Sequence, residues 1–256
     1  MRIEHEITFA LDGVGPGRAI DALSGRVPLF LDGTAAQARP RIRRKARLYA
    51  YVRETEVYSD RWVLNLVDQS LTRVVKQRVS PVSKTESVRE MPFESLACAA
   101  EFTAVFVKLK FARAFRHVPS GRRFKAALDL MVPVRQDWRL AGGGAFWHLE
   151  IEARRDLPAA AALRLGDLPL SDADRIAESK AQGALRRLGA GRRPHAPAAG
   201  GARAVFDAVR ADLWPPAWAP PGLRGLLASA ALDDPRHFVR TDGAERGTRP
   251  GQKRPG

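Results

Sequence analysis

An α+β fold is expected from three observations. Short alternating strands fill the chain to about residue 156, turn-prone residues punctuate them, and helical patterning replaces them afterwards. RIEHEITFAL (2–11) opens the series, with Glu4 and Glu6 on one side and Ile3, Ile7 and Phe9 around them. The breaker run GVGPG follows, then a short helix near Arg18–Ser24. RLYAYVRETEV (47–57), RWVLNLVD (61–68), TRVVKQRV (72–79), FTAVFVKLKFARAF (102–115), RRFKAALDLMVPV (122–134) and AFWHLEIEA (145–153) read as consecutive antiparallel strands. Turns at SD, SP, PSG and GGG separate them, so the sheet is a sandwich or a barrel. ESVREMPFESLACAA (86–100) reads as a helix crossing that sheet.

Beyond Asp156 the pattern lengthens. SDADRIAESKAQGALRRLGAG (171–191) has a capping Ser171 or Asp172 and ends at Gly189 or Gly191. ARAVFDAVRADLW (202–214) and PGLRGLLASAALDD (221–234) are further helices, joined by DLWPPAWAPP, a packed Pro-rich connector. The expected division is a strand domain at 1–156, a helical extension at 157–236 and a disordered basic tail at 237–256.

With 256 residues, 45% of them hydrophobic, the chain can bury a substantial core. Lys and Arg number 43 against 28 Asp and Glu, a formal charge of +15 that points to a polyanionic partner. The single cysteine, Cys98, excludes a disulfide within the chain and a cysteine-based zinc site. No apolar run is long enough to span a bilayer and no signal peptide opens the chain, so a soluble intracellular protein without membrane contact is expected.

The candidate chemistry lies in a second Glu-x-Glu, in WHLEIEA, which puts His148, Glu150 and Glu152 on one strand face. Four carboxylates brought together on two such strands repel one another unless cations neutralise them, and hard Mg²⁺ or Mn²⁺ takes carboxylate oxygens. The intervening strands supply cations at the same period: Lys76 and Arg78, Lys108 and Lys110, and Arg123 and Lys125 with Asp129. Arg113 and Arg116 follow close behind Lys110, and Arg47, Arg53 and Arg61 mark the earlier strands. If these faces turned inward, a barrel would hold a charged tunnel suited to a metal-bound polyphosphate. Glu54 and Glu56 form a third such pair and are read as an outer face. His148 is read as a supporting residue rather than a ligand.

The order of these motifs resembles the triphosphate tunnel metalloenzyme superfamily, specifically the metal-dependent RNA 5′-triphosphatases of fungal and viral mRNA capping. The opening strand is similar to that of the baculoviral capping enzymes. Across residues 2–155 the resemblance implies a closed antiparallel barrel with flanking helices. It implies Mg²⁺ or Mn²⁺ on Glu4, Glu6, Glu150 and Glu152, with Asp129 near the metal's water. Asp129, Lys110 and Arg116 would be catalytic, while Lys76, Arg78, Lys108, Arg113, Arg123 and Lys125 would bind the triphosphate. The implied partners are an RNA 5′-triphosphate end, free NTP, and a separate guanylyltransferase or RNA polymerase, in the nucleus or cytoplasm of a host cell if the protein is viral. Thr8 stands where many relatives carry lysine, and no Lys-x-Asp-Gly nucleotidyl-transfer motif is present. The alternatives are a tripolyphosphate, NTP or thiamine-triphosphate hydrolase of the same fold, and a non-catalytic basic nucleic-acid-binding protein.

Overall fold

The computed structural model describes residues 2–80, 83–98, 102–153, 162–171, 175–176 and 200–238. Eight strands close into an antiparallel barrel: β1 (Arg2–Leu11), β4 (Gln37–Glu54), β5 (Tyr58–Asn65), β6 (Leu71–Ser80), β7 (Ser83–Met91), β8 (Ala104–Arg116), β9 (Arg123–Pro133) and β10 (Phe146–Ala153). Their order around the barrel is β1-β10-β9-β8-β4-β5-β6-β7. The first and last of these strands in the chain are therefore neighbours, with Glu6 opposite Glu152 and Thr8 opposite Glu150.

The barrel is apolar outside and charged within. Ile7, Phe9, Leu109, Phe111, Leu128, Leu130, Leu149 and Ile151 are buried in one cluster with residues of the helices α1 (Gly15–Ser24), α3 (Gly201–Leu213) and α4 (Pro221–Ser229). Small soluble barrels commonly fill their interior with side chains, whereas this chain puts its main core between wall and helices. A second, smaller cluster inside the barrel holds Tyr49, Tyr51, Val63, Val74, Phe106, Met131 and Phe146.

Around the barrel lie β2 (Leu29–Leu31), β3 (Thr34–Ala35), β11 (Leu163–Leu165) and β12 (Leu168–Pro169), in a four-stranded sheet ordered β12-β11-β2-β3. The stretch expected to be a helical extension thus returns two short strands to the N-terminal part. Helix α1 starts with Pro16 in its first turn, where a missing N–H costs nothing, and ends at Gly25 in the left-handed region with φ 87°.

Two expectations change. Residues 83–91 form β7, and among the described residues of the 86–100 stretch the helix is the single turn α2 (Ser95–Cys98). Residues on both faces of β7 are partly or fully exposed, so the apolar alternation that marks a strand is missing. Strand β4 begins at Gln37, ten residues before the expected start, and spans 18 residues. The helix expected at 171–191 falls almost wholly outside the described residues, as does the tail expected at 237–256 apart from His237 and Phe238, which belong to a 3₁₀ turn that buries Phe238. Among the described residues, no helix is long and apolar enough to cross a membrane.

Candidate anion-binding cavity

Alternation along the strands sends every second side chain into the barrel, where a cavity of about 1330 Å³ follows β4 from Arg39 to Glu54. Thirteen Lys and Arg line it against six Glu, so it is strongly positive. The register sharpens this: Lys45 faces Lys110 and Arg47 faces Lys108 across β4 and β8. Like charges directly opposite destabilise a sheet, so this interior favours an anionic occupant. Burial, reinforced by Arg47 and Lys110, brings Lys45 down to a pKa of about 8.

The carboxylates of β9, β10 and β1 meet this basic wall, and Asp129, Glu150, Glu152 and Glu6 are each engaged by a lysine. Lys110 Nζ lies 3.1 Å from Glu150, 3.5 Å from Glu152 and 3.6 Å from Asp129. Burial opposes charge on Lys110, but Asp129, Glu150 and Glu152 hold its pKa well above the ordinary lysine value. Lys108 reaches Asp129 at 2.9 Å, Lys125 pairs with Glu152, and Lys84 is 3.6 Å from Glu6. Thr8 Oγ1 donates to Glu6 at 3.3 Å. Burial and the adjacent Glu150, with which it shares a hydrogen bond, push the Glu152 carboxyl above its usual range. On a further side, Lys76 pairs with Glu86 at 2.8 Å.

Deeper in the barrel, Arg61 lies between two tyrosines, its guanidinium 5.4 Å from the Tyr49 ring and 5.5 Å from the Tyr51 ring. Its Nη1 donates to the Tyr51 hydroxyl at 3.1 Å. Lys108 Nζ approaches the Tyr49 ring at 5.1 Å. Burial favours the neutral Tyr49 phenol, but Lys108, Arg47, Arg61 and Lys110 together outweigh it and bring its pKa down to about 7.

Of the expected site residues, Glu6, Lys76, Arg78, Lys108, Lys110, Arg123, Lys125, Glu150 and Glu152 line the cavity. The Glu4 side chain lies outside those described; its backbone pairs with Lys84 of β7. Asp129, expected beside an attacking water, is fully buried beneath Lys108 and Lys110, so it holds the lysines rather than facing the cavity. Arg113 is corrected outright. An odd-numbered residue on a strand whose even positions face inward, it projects outward, donating to the carbonyls of Arg39 and Leu23. Arg116, expected in the catalytic set, is exposed at the end of β8 and does not line the cavity.

Glu54 and Glu56 also depart from expectation, since both line the cavity. A register shift between Tyr51 and Arg53 of β4 changes which residues face inward. Lys45, Tyr49, Tyr51, Lys84 and Glu86 belong to the site and were not singled out. The alternation Arg43, Lys45, Arg47 in RPRIRRKARLYAYV carried the signal for the first of these.

No family model matches the chain, and no curated protein matches it. Among solved structures, a conserved hypothetical protein from Pyrococcus furiosus is similar over 70% of this chain and 98% of its own, at 16% identity and a TM-score of 0.43. A protein from Pyrococcus horikoshii is similar over the same shares, 70% and 98%, at 14% identity and 0.42. A Hippeastrum protein described as a candidate adenylyl cyclase with a dominant triphosphatase activity is similar over 60% of this chain and 80% of its own, at 14% identity and 0.31. Scores this low carry no inference to the present chain, and the chemistry below rests on the cavity's own residues.

Proposed function

We propose that the barrel binds a triphosphate and hydrolyses its terminal phosphoanhydride, acting on the 5′-triphosphate end of RNA as in cap formation. The observation that carries this reading is the register of β4 and β8, which sets Lys45 against Lys110 and Arg47 against Lys108 in a cavity that is also lined by Glu6, Glu150 and Glu152. Positive charge arranged this way is neutralised by the oxygens of a phosphate chain.

Among the described residues, no three His, Cys, Asp or Glu form a group closed around an ion. In kind the donors suit a hard divalent cation. Glu6, Glu150 and Glu152 present oxygen ligands on adjoining strands, and the burial and neighbouring Glu150 charge that together raise Glu152 are what a cation offsets. Glu6, Glu150 and Glu152, with Glu4, would hold Mg²⁺ or Mn²⁺, which when bound supplies Lewis-acid polarisation of a phosphoryl oxygen. The chain's own part is electrostatic. Lys108, Lys110 and Lys125 neutralise charge that builds on the equatorial oxygens, and Lys76 and Arg78 bind the rest of the phosphate chain. Asp129 keeps Lys108 and Lys110 fixed, so they need not reorganise as the bond breaks.

Phosphate release from γ-labelled triphosphate RNA tests this, with Mg²⁺ or Mn²⁺ and with Glu6→Ala and Glu150→Ala beside the wild type. Metal-dependent release that falls by about 10²-fold or more in both variants is expected, the scale of losing one preorganised electrostatic group. No release from wild type, with both variants folded and binding RNA unchanged, overturns it in favour of a non-catalytic binding protein. Competition between tripolyphosphate, free NTP and RNA then ranks the substrates. Retention of the chain by an immobilised guanylyltransferase or RNA polymerase tests the partner.

A further inference from the structure

Five of the lysines lining the cavity are ion-paired with carboxylates, whereas the arginines at its rim are not ion-paired with a described acid. Where the start of β4, the end of β8 and the start of β9 meet, Arg39, Arg43, Arg116, Arg122 and Arg123 are all exposed. Gln37 lies opposite Arg116, and Arg116 lies opposite Arg123, so two arginines face each other directly across neighbouring strands. None of the five is ion-paired with a described acid; by contrast Lys76, Lys84, Lys108, Lys110 and Lys125 all are. Facing like charges work against the sheet, and a bound anion removes that repulsion. Arg39, Arg43 and Arg123 also line the cavity, so the charge runs without a break from the rim inward.

We infer that this arginine rim is a track for the phosphodiester backbone of a single-stranded polynucleotide whose 5′ end enters the cavity. The inference rests on the triphosphate reading of the cavity and adds the part of the substrate outside it. Guanidinium groups match phosphate oxygens through paired N–H donors, which a point-charge lysine does not. A continuous polyanion touches rim and interior together, whereas a lipid headgroup would end at the rim. The exposed large apolar side chains among the described residues are all valines, so the rim offers no aromatic platform for stacking bases. Binding there is through phosphate, tolerant of sequence and steeply salt-dependent.

The experiment uses the full chain and a fluorescent 5′-hydroxyl RNA oligonucleotide, which carries no triphosphate. Affinity is measured across a salt series, with and without saturating tripolyphosphate, for wild type and for Arg116→Ala/Arg122→Ala. The track predicts RNA binding that survives tripolyphosphate. It also predicts a salt slope that falls by roughly 0.7 for each arginine removed. RNA displaced by tripolyphosphate, or a slope unchanged in the variant, overturns it. So does equally tight, equally arginine-dependent binding of phosphatidylserine vesicles. RNA binding on the rim without phosphate release would sink the hydrolase reading alone, and phosphate release without rim binding would sink the track alone.

Discussion

Two stretches of the same barrel are built on opposite terms. In β8, β9 and β10 one face is apolar and packed beneath helices, and the other bears the cavity's lysines and carboxylates. In β6 and β7 most positions on both faces meet water, and an outward pair, Arg73 with Asp60 of β5, does part of the work of packing. The first stretch gains its stability from burial at no cost to the cavity, because the two tasks fall on alternate residues. The second is held chiefly by its ladder hydrogen bonds and its neighbours.

Truncations on the two sides should therefore differ sharply. Phe111→Ala, on the packed face of β8, is expected to cost about 3–5 kcal/mol in urea unfolding. Gly142→Ala tests the cover over the packed side: a Cβ there would stand 2.4 Å from the Trp218 carbonyl oxygen, and about 1–3 kcal/mol of overpacking should appear. Val88→Ala on β7, a side chain 57% exposed, should stay within about 0.5 kcal/mol. Equal losses at Phe111 and Val88 would break the contrast.

The interior face has its own signature in pH. Tyr49 and Lys45 both titrate below their ordinary values, at about 7 and about 8. As pH rises through that range the cavity gains a phenolate and loses an ammonium, so tripolyphosphate affinity should fall in two steps. Tyr49→Phe should remove the lower step and leave the upper one, and titration calorimetry in buffers of different ionisation enthalpy should show protons taken up on binding. The sign for folding is the reverse. Between these values and their ordinary values of 10.0 and 10.5 the unfolded chain holds more protons, so ligand-free stability should rise with pH. A flat affinity profile would mean that neither group meets the ligand.

The same contrast explains what could be read in advance. The strands expected at 102–115, 122–134 and 145–153 lie within two residues of β8, β9 and β10, because a packed face leaves its apolar alternation in the residues. Strand β7 left no such trace and passed for a helix. The first ten residues of β4, with arginines on both faces, were missed for the same reason. Within the site, the inward set on β6, β8, β9 and β10 followed from parity, which also sends Arg113 outward despite its charge. Glu54 was misplaced because a register shift alters parity without altering composition. Asp129 was found, but its depth beneath two lysines depends on neighbouring strands that alternation cannot describe.

An apolar exterior and a charged interior on one set of strands also limit how such a chain can change in length. Removing one residue from the middle of β8 would swap the two faces beyond that point, driving Lys110 toward the helices and Phe111 into the cavity. Removing two would shorten the strand and keep both faces. Within the regular ladder of β8, insertions and deletions keep both faces only in even steps unless a bulge like that of β4 absorbs the odd residue, so the reading frame that matters here is two residues wide.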